Sequence, residues 1–319
     1  MTIWKDTEIE RAIFAEPLRA GCNSLHVLSG YASPQIVYSL LAREGATSVK
    51  VNVTVGMVVA DGISLGAHRG FVSLQNIDYP GRVRVGYVVR GKPVHTKLYV
   101  WCQGRVPRFA FAGSANFTSN GLLGGYREVL VPADPAAGLA LVNSVAATSI
   151  SCDDPKMPGE LVVLNPRARA RVTGVIPQYR PWQGEGEKFA DISLLNSRTA
   201  TGVAYGLNWG HRPGRDRDQS YLPVPAVVAR SGFLPRRGLR FTLLSASGTA
   251  LSAVVAQDGD KAIETPDSNA IMGRFIRSEL GLPSGALIEA SDLKRAKVTG
   301  FRLYAVDDET FAIEFGLFG

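Results

Sequence analysis

Of the four histidines in the chain, His26, His68, His95 and His211, one stands where its neighbours suggest chemistry. His95 lies two residues before Lys97, at the start of a stretch, 97–101, whose composition predicts a strand. Period-2 alternation puts the imidazole and the ammonium on one side of the sheet. Such a pair can handle a phosphate. The imidazole attacks phosphorus or protonates a leaving oxygen, while the lysine neutralises nonbridging oxygens as the transition state forms. An H-x-K spacing alone is common and equally describes a surface strand. The next predicted strand runs into Gly113, Ser114, Ala115, Asn116, Phe117 and Thr118, where a glycine turn presents the Ser114 hydroxyl and the Asn116 amide on one side to face an oxyanion. Glu128 falls on a later strand-like stretch, where a carboxylate can hydrogen-bond an imidazole, fix its tautomer and raise its basicity. Taken singly these residues are a turn, a cap and a surface glutamate. Their joint occurrence in this order between His95 and Glu128 is far rarer than any one piece.

The elements around them read as an α/β layer. Helical spacing over 9–18, a strand over 25–29 ending in Gly30, and a helix opened by Ser33 as cap and Pro34 in its first turn precede a strand over 49–55. A weaker helix follows over 64–74. Strands are predicted over 83–89, 97–101 and 108–112, and Asp134 caps an Ala-rich helix through Ala147. From Ser151 to Gly186 the chain turns rich in Pro, Gly and Arg with little periodicity, which marks a boundary. The division read here is 1–165, a linker over 166–186, and 187–319. Beyond the linker the strands are short: 191–195, 240–245, 251–256, 297–304 and 310–315. Helices are expected near 225–230 and, more firmly, over 268–280, where Ile271, Met272, Phe275, Ile276 and Leu280 make one stripe and Gly281 and Pro283 stop it. Many short strands with few helices suggest a β barrel. No internal repeat is visible, so the His95 motif occurs once.

Composition narrows the function. At 319 residues, 45% hydrophobic and 20% charged, the chain has ample material for two cores and too little charge for disorder. The excess of 35 Lys and Arg over 28 Asp and Glu gives +7 and a pI near 9.4, which makes a polyanion the first partner to consider. Cys22, Cys102 and Cys152 form no C-x-x-C pair and read as buried thiols in a reducing compartment. The start is acidic and polar, and no run of about 18 apolar residues occurs, so a cytoplasmic protein without membrane contact is expected. His26 and His68 lack partners at ligand spacing and are read as core or surface residues, so no metal site is expected. No phosphate-cradling Walker motif is present, and any ATP dependence would need another subunit.

The second half contains two polar excursions. The first, from Asn208 to Gln219, holds Trp209, His211, Arg212, Arg215, Asp216, Arg217 and Asp218, and precedes the apolar Leu222-Pro223-Val224-Pro225. Arg suits guanine, Asn and Gln suit adenine, and Asp can accept from cytosine, so this loop has side chains that read base edges. A solvated hairpin would have the same composition. The second excursion, Gln257 to Asn269, carries Asp258, Asp260, Lys261 and Glu264. Its carboxylates outnumber its cations, so contact with DNA there would be base readout, with phosphate contacts from Arg236, Arg237 and Arg240.

His95, Lys97, Ser114, Asn116 and Glu128 resemble the active-site motif of the phospholipase D superfamily, in its single-motif nuclease branch. The resemblance implies a homodimer with one composite site, in which one histidine forms a phosphohistidine and the second protonates the leaving oxygen, with no metal or other cofactor. The superfamily's commoner pattern has an Asp five residues after the lysine; here that position is Cys102, which argues against a lipid-type enzyme and leaves Glu128 as the orienting carboxylate. The second half is similar to the C-terminal domain of phospholipase D-like restriction endonucleases of the BfiI and NgoFVII type. That implies a mainly β, B3-like pseudobarrel clamping the major groove of double-stranded DNA between an N-arm, 208–219, and a C-arm, 257–269. The residues placed on DNA are then Asn208, His211, Arg212, Arg215, Asp216, Arg217, Gln219, Arg236, Arg237, Gln257, Asp260, Lys261 and Asn269. The N-terminal domain would be a phospholipase D-like α/β fold with a mixed sheet flanked by helices. The function implied is a type II-like, site-specific restriction endonuclease, partnered by a cognate DNA methyltransferase system and, as in some relatives, a separate ATPase subunit. Two alternatives stand beside it: a sequence-specific DNA-binding protein using the first domain only to dimerise, and a phosphodiesterase for another substrate such as lipid headgroups.

Overall fold

Strand β6, Lys97–Gln103, is buried continuously from Lys97 to Cys102, the signature of a strand covered on both faces inside a sheet. In the computed structural model it lies near the middle of an eight-stranded mixed sheet. The structure describes residues 2–5, 7–157, 163–164, 189–194, 205–307 and 309–318. The chain divides into two units, Met1–Gln178 and Tyr179–Gly319. The linker expected over 166–186, like Leu195 at the end of one predicted strand, lies outside the described residues.

In the first unit the sheet order is β1-β8-β7-β6-β2-β3-β5-β9, with β1 Trp4–Lys5, β2 Ser24–Ser29, β3 Lys50–Val55, β5 Val83–Val88, β7 Val106–Gly113, β8 Val129–Pro132 and β9 Ser149–Ser151. A short β4, Ile63–Ser64, pairs in parallel with β10, Val163–Leu164. Strands β2, β3 and β5 run parallel, while β6 is antiparallel to β2 and β7, and β7 to β8. This alternation has one consequence that matters for function. The C-terminal ends of β2, β3 and β7 and the N-terminal ends of β6 and β8 all emerge at the same end of the sheet.

The predicted helices cover both faces. Helix Pro135–Ala146 starts where Asp134 accepts the Ala137 N–H at 2.7 Å, and its Val142 packs with Leu28, Leu98, Val100, Cys102 and Ala110. The helix expected over 9–18 is a longer run, Thr7–Arg19, with a π turn at Arg11–Ala15 that buries Ala12, Ile13 and Phe14. Trp101 donates its indole N–H to the Ile13 carbonyl at 2.7 Å and fixes that run to the sheet. Ser33 does occupy the cap position of helix Pro34–Leu41, but its hydroxyl makes no capping bond; extended backbone at Ser33 and Pro34 at the first position start the helix. His68 is buried, with Nδ1 3.2 Å from the Tyr87 hydroxyl, and burial pushes its pKa down to about 4. His26 Nε2 lies 3.0 Å from the Ser24 hydroxyl. All three cysteines are buried free thiols.

The second unit is a curled β half-barrel of seven strands in the order β11-β16-β17-β13-β14-β15-β12. These are β11 Phe189–Ser193, β12 Leu222–Pro223, β13 Arg240–Ser245, β14 Ala250–Ala256, β15 Ala262–Glu264, β16 Gly300–Asp307 and β17 Thr310–Gly316. The strand expected from Lys297 begins at Gly300, because Lys297 takes φ 55° in the turn after helix Ala290–Arg295, which the sequence did not announce. Inward residues Phe241, Leu243, Phe301, Leu303, Phe311 and Ile313 meet Met272 and Ile276 from helix Asn269–Glu279, of which Ser268, expected inside the helix, is the cap. Each such fully buried side chain contributes about 1.5–3 kcal/mol. Among the described residues no helix is long and apolar enough to cross a membrane.

Candidate active site and nucleic-acid interface

His95 sits on the loop entering β6, at the same sheet end as the C-terminal ends of β2 and β7. Lys97, the first residue of β6, is only 8% exposed, and its Nζ lies 2.9 Å from His95 Nε2 and 3.0 Å from the His95 carbonyl oxygen. When the Lys97 ammonium donates to Nε2, a lone pair is needed there, and the proton of a neutral imidazole is then on Nδ1. Nε2 is then the ring nitrogen that carries the lone pair. Burial pushes the Lys97 pKa below the ordinary lysine range, while the Glu128 carboxylate pulls it back up. Glu128 therefore acts on the pair through its charge.

The imidazole-orienting bond expected of Glu128 is absent among the described residues. Its carboxylate accepts the Ser114 hydroxyl proton instead, and the same Ser114 oxygen accepts the Val129 N–H at 3.1 Å. Ser114 thus closes the β7–β8 connection rather than offering an uncommitted hydroxyl. Asn116 Oδ1 accepts the Tyr31 N–H at 3.3 Å. Tyr99 from β6 donates to the Ala115 carbonyl at 2.5 Å, and Ser29 Oγ accepts the Phe117 N–H at 3.0 Å, so the 114–117 loop is pinned to β2 and β6.

Three residues at this mouth were not singled out from sequence: Gly30, Tyr31 and Asp61. Gly30 follows β2, and a Cβ built there would lie 2.9 Å from His95 Cδ2, so a larger residue would push the imidazole aside. The Tyr31 ring stands edge-on to the His95 ring, with centroids 5.8 Å apart and planes at 82°, and its hydroxyl donates to Asp61. A glycine at the end of a predicted strand was the visible signal. No group of three or more His, Cys, Asp or Glu side chains able to hold a metal occurs among the described residues.

In the second unit the expected N-arm is a braced loop. Asn208 is wholly buried: its Nδ2 donates to the Ile288 carbonyl and its Oδ1 accepts the Ile288 N–H, both at 2.9 Å. It is a core brace and not a base reader, because both ends of its amide are spent. Asp218 is buried too. Despite that burial, which raises its pKa, bonds from Ser284 and the Gly285 N–H and the charges of Arg277 and Arg274 hold it below the usual carboxylate range. His211 is half-buried, and its Nε2 finds no hydrogen-bond partner. Asp216 Oδ1 is taken by the Asp218 N–H at 2.9 Å. Arg215, Arg217 and Asp216 are exposed, and Arg212 and Gln219 are half-buried. Arg215 lies 4.0 Å over the Trp209 ring with Nη1 3.3 Å from Gln219 Oε1, and Arg212 lies 5.4 Å over Tyr205. Both guanidinium planes are thereby steadied.

The expected C-arm turns sharply through Gln257 and Asp260, at φ 65° and 56°. Arg237, assigned from sequence to phosphate, donates instead to the Gln257 carbonyl at 3.2 Å and to Asp258 at 3.1 Å. Arg240 is likewise engaged, in a two-pronged pair with Asp267 at 3.0 and 3.1 Å. Arg236 and Lys261 are exposed. Gln257 and Asn269 both donate to Glu264, at 2.6 and 3.1 Å. Between the two loops opens a cleft of about 770 Å³ lined by Tyr205, Trp209, Arg212 and Tyr221 on one side and Gln257, Lys261 and Glu264 on the other.

A single His-Lys-Ser-Asn-Glu cluster at the end of a mixed sheet, followed in the same chain by a curled barrel with two polar arms, defines a phospholipase D-type nuclease domain joined to a B3-like DNA-binding domain. Residues 7–157 match the model of the NgoFVII restriction endonuclease N-terminal PLD domain, and residues 183–307 that of the NgoFVII C-terminal B3-like DNA-binding domain. The chain belongs to the NgoFVII restriction endonuclease family. No curated protein is significantly similar to it. Among solved structures, it is similar to NucT from Helicobacter pylori (13% identity, TM-score 0.34, covering 47% of this chain and 97% of that one). It is similar also to Nuc, a phospholipase D family member from Salmonella typhimurium (15%, 0.35, 47% and 95%). A third is polyphosphate kinase from Porphyromonas gingivalis (12%, 0.33, 49%), of which the chain spans 26%.

Proposed function

We propose that the chain is a site-specific restriction endonuclease that hydrolyses DNA phosphodiesters without a metal, through a phosphohistidine at an active site shared by two copies. The observation that carries this reading is the contact of Lys97 Nζ with His95 Nε2 at 2.9 Å at the open end of the sheet. The cation the site itself offers is this lysine, buried and next to the nucleophile, where it can follow the charge that develops on nonbridging oxygens. In the first step Nε2 of one His95 bonds to phosphorus and the P–O bond to the leaving oxygen breaks; the second copy's imidazolium gives that oxygen its proton. In the second step that imidazole takes a proton from water, the hydroxide oxygen bonds to phosphorus, and the P–N bond returns its pair to Nε2.

Each chain holds one such histidine, so two chains are needed for both roles, and the two DNA strands are cut in turn. The cleft between the arms, with steadied Arg212 and Arg215, supports base reading by the second unit; exposed Arg217, Arg236 and Lys261 are the phosphate-facing cations. The domain division 1–165 and 187–319 follows the same roles.

The test is to mix wild type and His95→Ala chains in varying ratio after unfolding and joint refolding. With a composite site, cleavage follows the square of the wild-type fraction, about one quarter at equal amounts. A linear dependence would show that each chain cuts alone. A covalent DNA adduct, stable in alkali, labile in acid and missing from His95→Ala, would support the phosphohistidine; its absence from single-turnover reactions stopped in alkali would remove it.

A further inference from the structure

We propose that Tyr31 is a positioning residue for His95: its ring walls the imidazole into the orientation from which Nε2 attacks. The inference rests on the reading of His95 as the reacting group.

His95 is exposed and lies outside the regular strand, so beyond its contact with Lys97 its side chain has little packing to hold it. An imidazole free to change rotamer would spend much of its time out of line with phosphorus, and catalysis requires the reacting atom to be held. Two walls are present. Gly30 closes one side, where a Cβ would stand 2.9 Å from Cδ2. The Tyr31 ring closes another, edge-on, with centroids 5.8 Å apart.

Tyr31 is itself 37% exposed, yet it is tied at three points. Its N–H donates to Asn116 Oδ1 at 3.3 Å, its carbonyl accepts the Ser29 hydroxyl at 2.6 Å, and its own hydroxyl donates to Asp61. The bond to Asp61, together with partial burial and the Asp61 charge, holds the phenol above its ordinary pKa, so it stays protonated. A phenol whose proton is committed to Asp61 is a wall and not an acid. The arrangement makes Asp61 the anchor, the ring the working surface and His95 the group restrained.

The test compares Tyr31→Ala and Tyr31→Phe in the full chain, by single-turnover cleavage under saturating enzyme, DNA affinity, and carbon relaxation of the His95 ring in ¹³C-histidine-labelled protein. Tyr31→Ala should lower the cleavage rate about three- to tenfold, leave Kd within about twofold and loosen the His95 ring. Tyr31→Phe keeps the wall and loses only the anchor, so most of the rate and the ring order should return. A Tyr31→Ala protein with an unaltered rate and a rigid His95 ring would overturn the proposal. So would a Tyr31→Phe protein as slow as Tyr31→Ala with weakened Kd, since that would make the phenol a DNA contact. If the wild type cuts no DNA, the nuclease reading fails, and the relaxation measurement still decides whether Tyr31 restrains His95.

Discussion

Arg277 should be the residue whose loss is felt most in the second unit. It is 1% exposed on helix Asn269–Glu279, and its guanidinium reaches the Ala286 carbonyl at 2.8 Å, those of Gly273 and Arg217 at 3.1 Å, and Ser220 Oγ at 3.2 Å. Its Nε lies 3.8 Å from Asp218. Asp218 accepts the Gly285 N–H at 2.6 Å and the Ser284 hydroxyl. One charge therefore ties the base of the N-arm to the helix and to the 284–286 loop. Gly273 allows the approach, since a Cβ there would lie 1.5 Å from the Asp218 carbonyl oxygen. Arg277→Gln would leave Asp218 with only the more exposed Arg274, 3.8 Å away, as a cation and strip three carbonyls of a donor. Removing one partner of such a pair costs about 3–5 kcal/mol, and losing four bonds at about 1 kcal/mol each gives the same order. In hydrogen exchange, ~3 kcal/mol lowers protection by roughly two orders of magnitude. We expect that loss in peptides spanning 206–222, with peptides spanning 95–118 unchanged. The double variant Asp218→Asn with Arg277→Gln should be less unstable than the two singles summed, by about 1–3 kcal/mol. Unaltered exchange over 206–222 in Arg277→Gln, or additive singles, would refute the bracing argument.

Arg215→Ala should lower the preference for cognate over random DNA by about 1–3 kcal/mol, read from competition binding at fixed salt; equal weakening on all sequences would make it a phosphate contact. His68 titrates at about 4 when folded, against about 6.5 in an unfolded chain, so the unfolded state takes up the proton first as pH falls. Stability should therefore drop between pH 6.5 and 4, by roughly 2 kcal/mol at pH 5 from this group. Urea melts at pH 7 and 5 should show a smaller acid loss in His68→Gln than in wild type.

The catalytic cluster was legible because its order is local. The two-residue spacing at the mouth of β6 brings His95 and Lys97 together although His95 itself lies just outside the strand, and a glycine turn after β7 leads to Asn116. What was not legible is how polar groups divide their bonds. Nothing in the sequence says that Glu128 is taken by Ser114, or that Tyr31 meets His95 while Asp61 holds Tyr31, because those pairings depend on the sheet order. The same limit applies to the arms. Asn208, Arg237 and Arg240 have the residue types that suit nucleic acid, but tertiary contacts with Ile288, Asp258 and Asp267 occupy them. Helix caps divide along this line too: Asp134 bonds as the local pattern predicts, while the Ser33 hydroxyl is buried without a partner among the described residues.

Cutting of DNA by His95 at defined sites without a metal is tested most directly by digestion. Purified protein and His95→Ala should be incubated with mixed plasmid and phage DNA in excess EDTA, and the ends of any fragments sequenced. The account predicts discrete fragments with wild type, none with His95→Ala, and retained specific binding by the variant. Cleavage that EDTA abolishes, or that survives loss of His95, would contradict it.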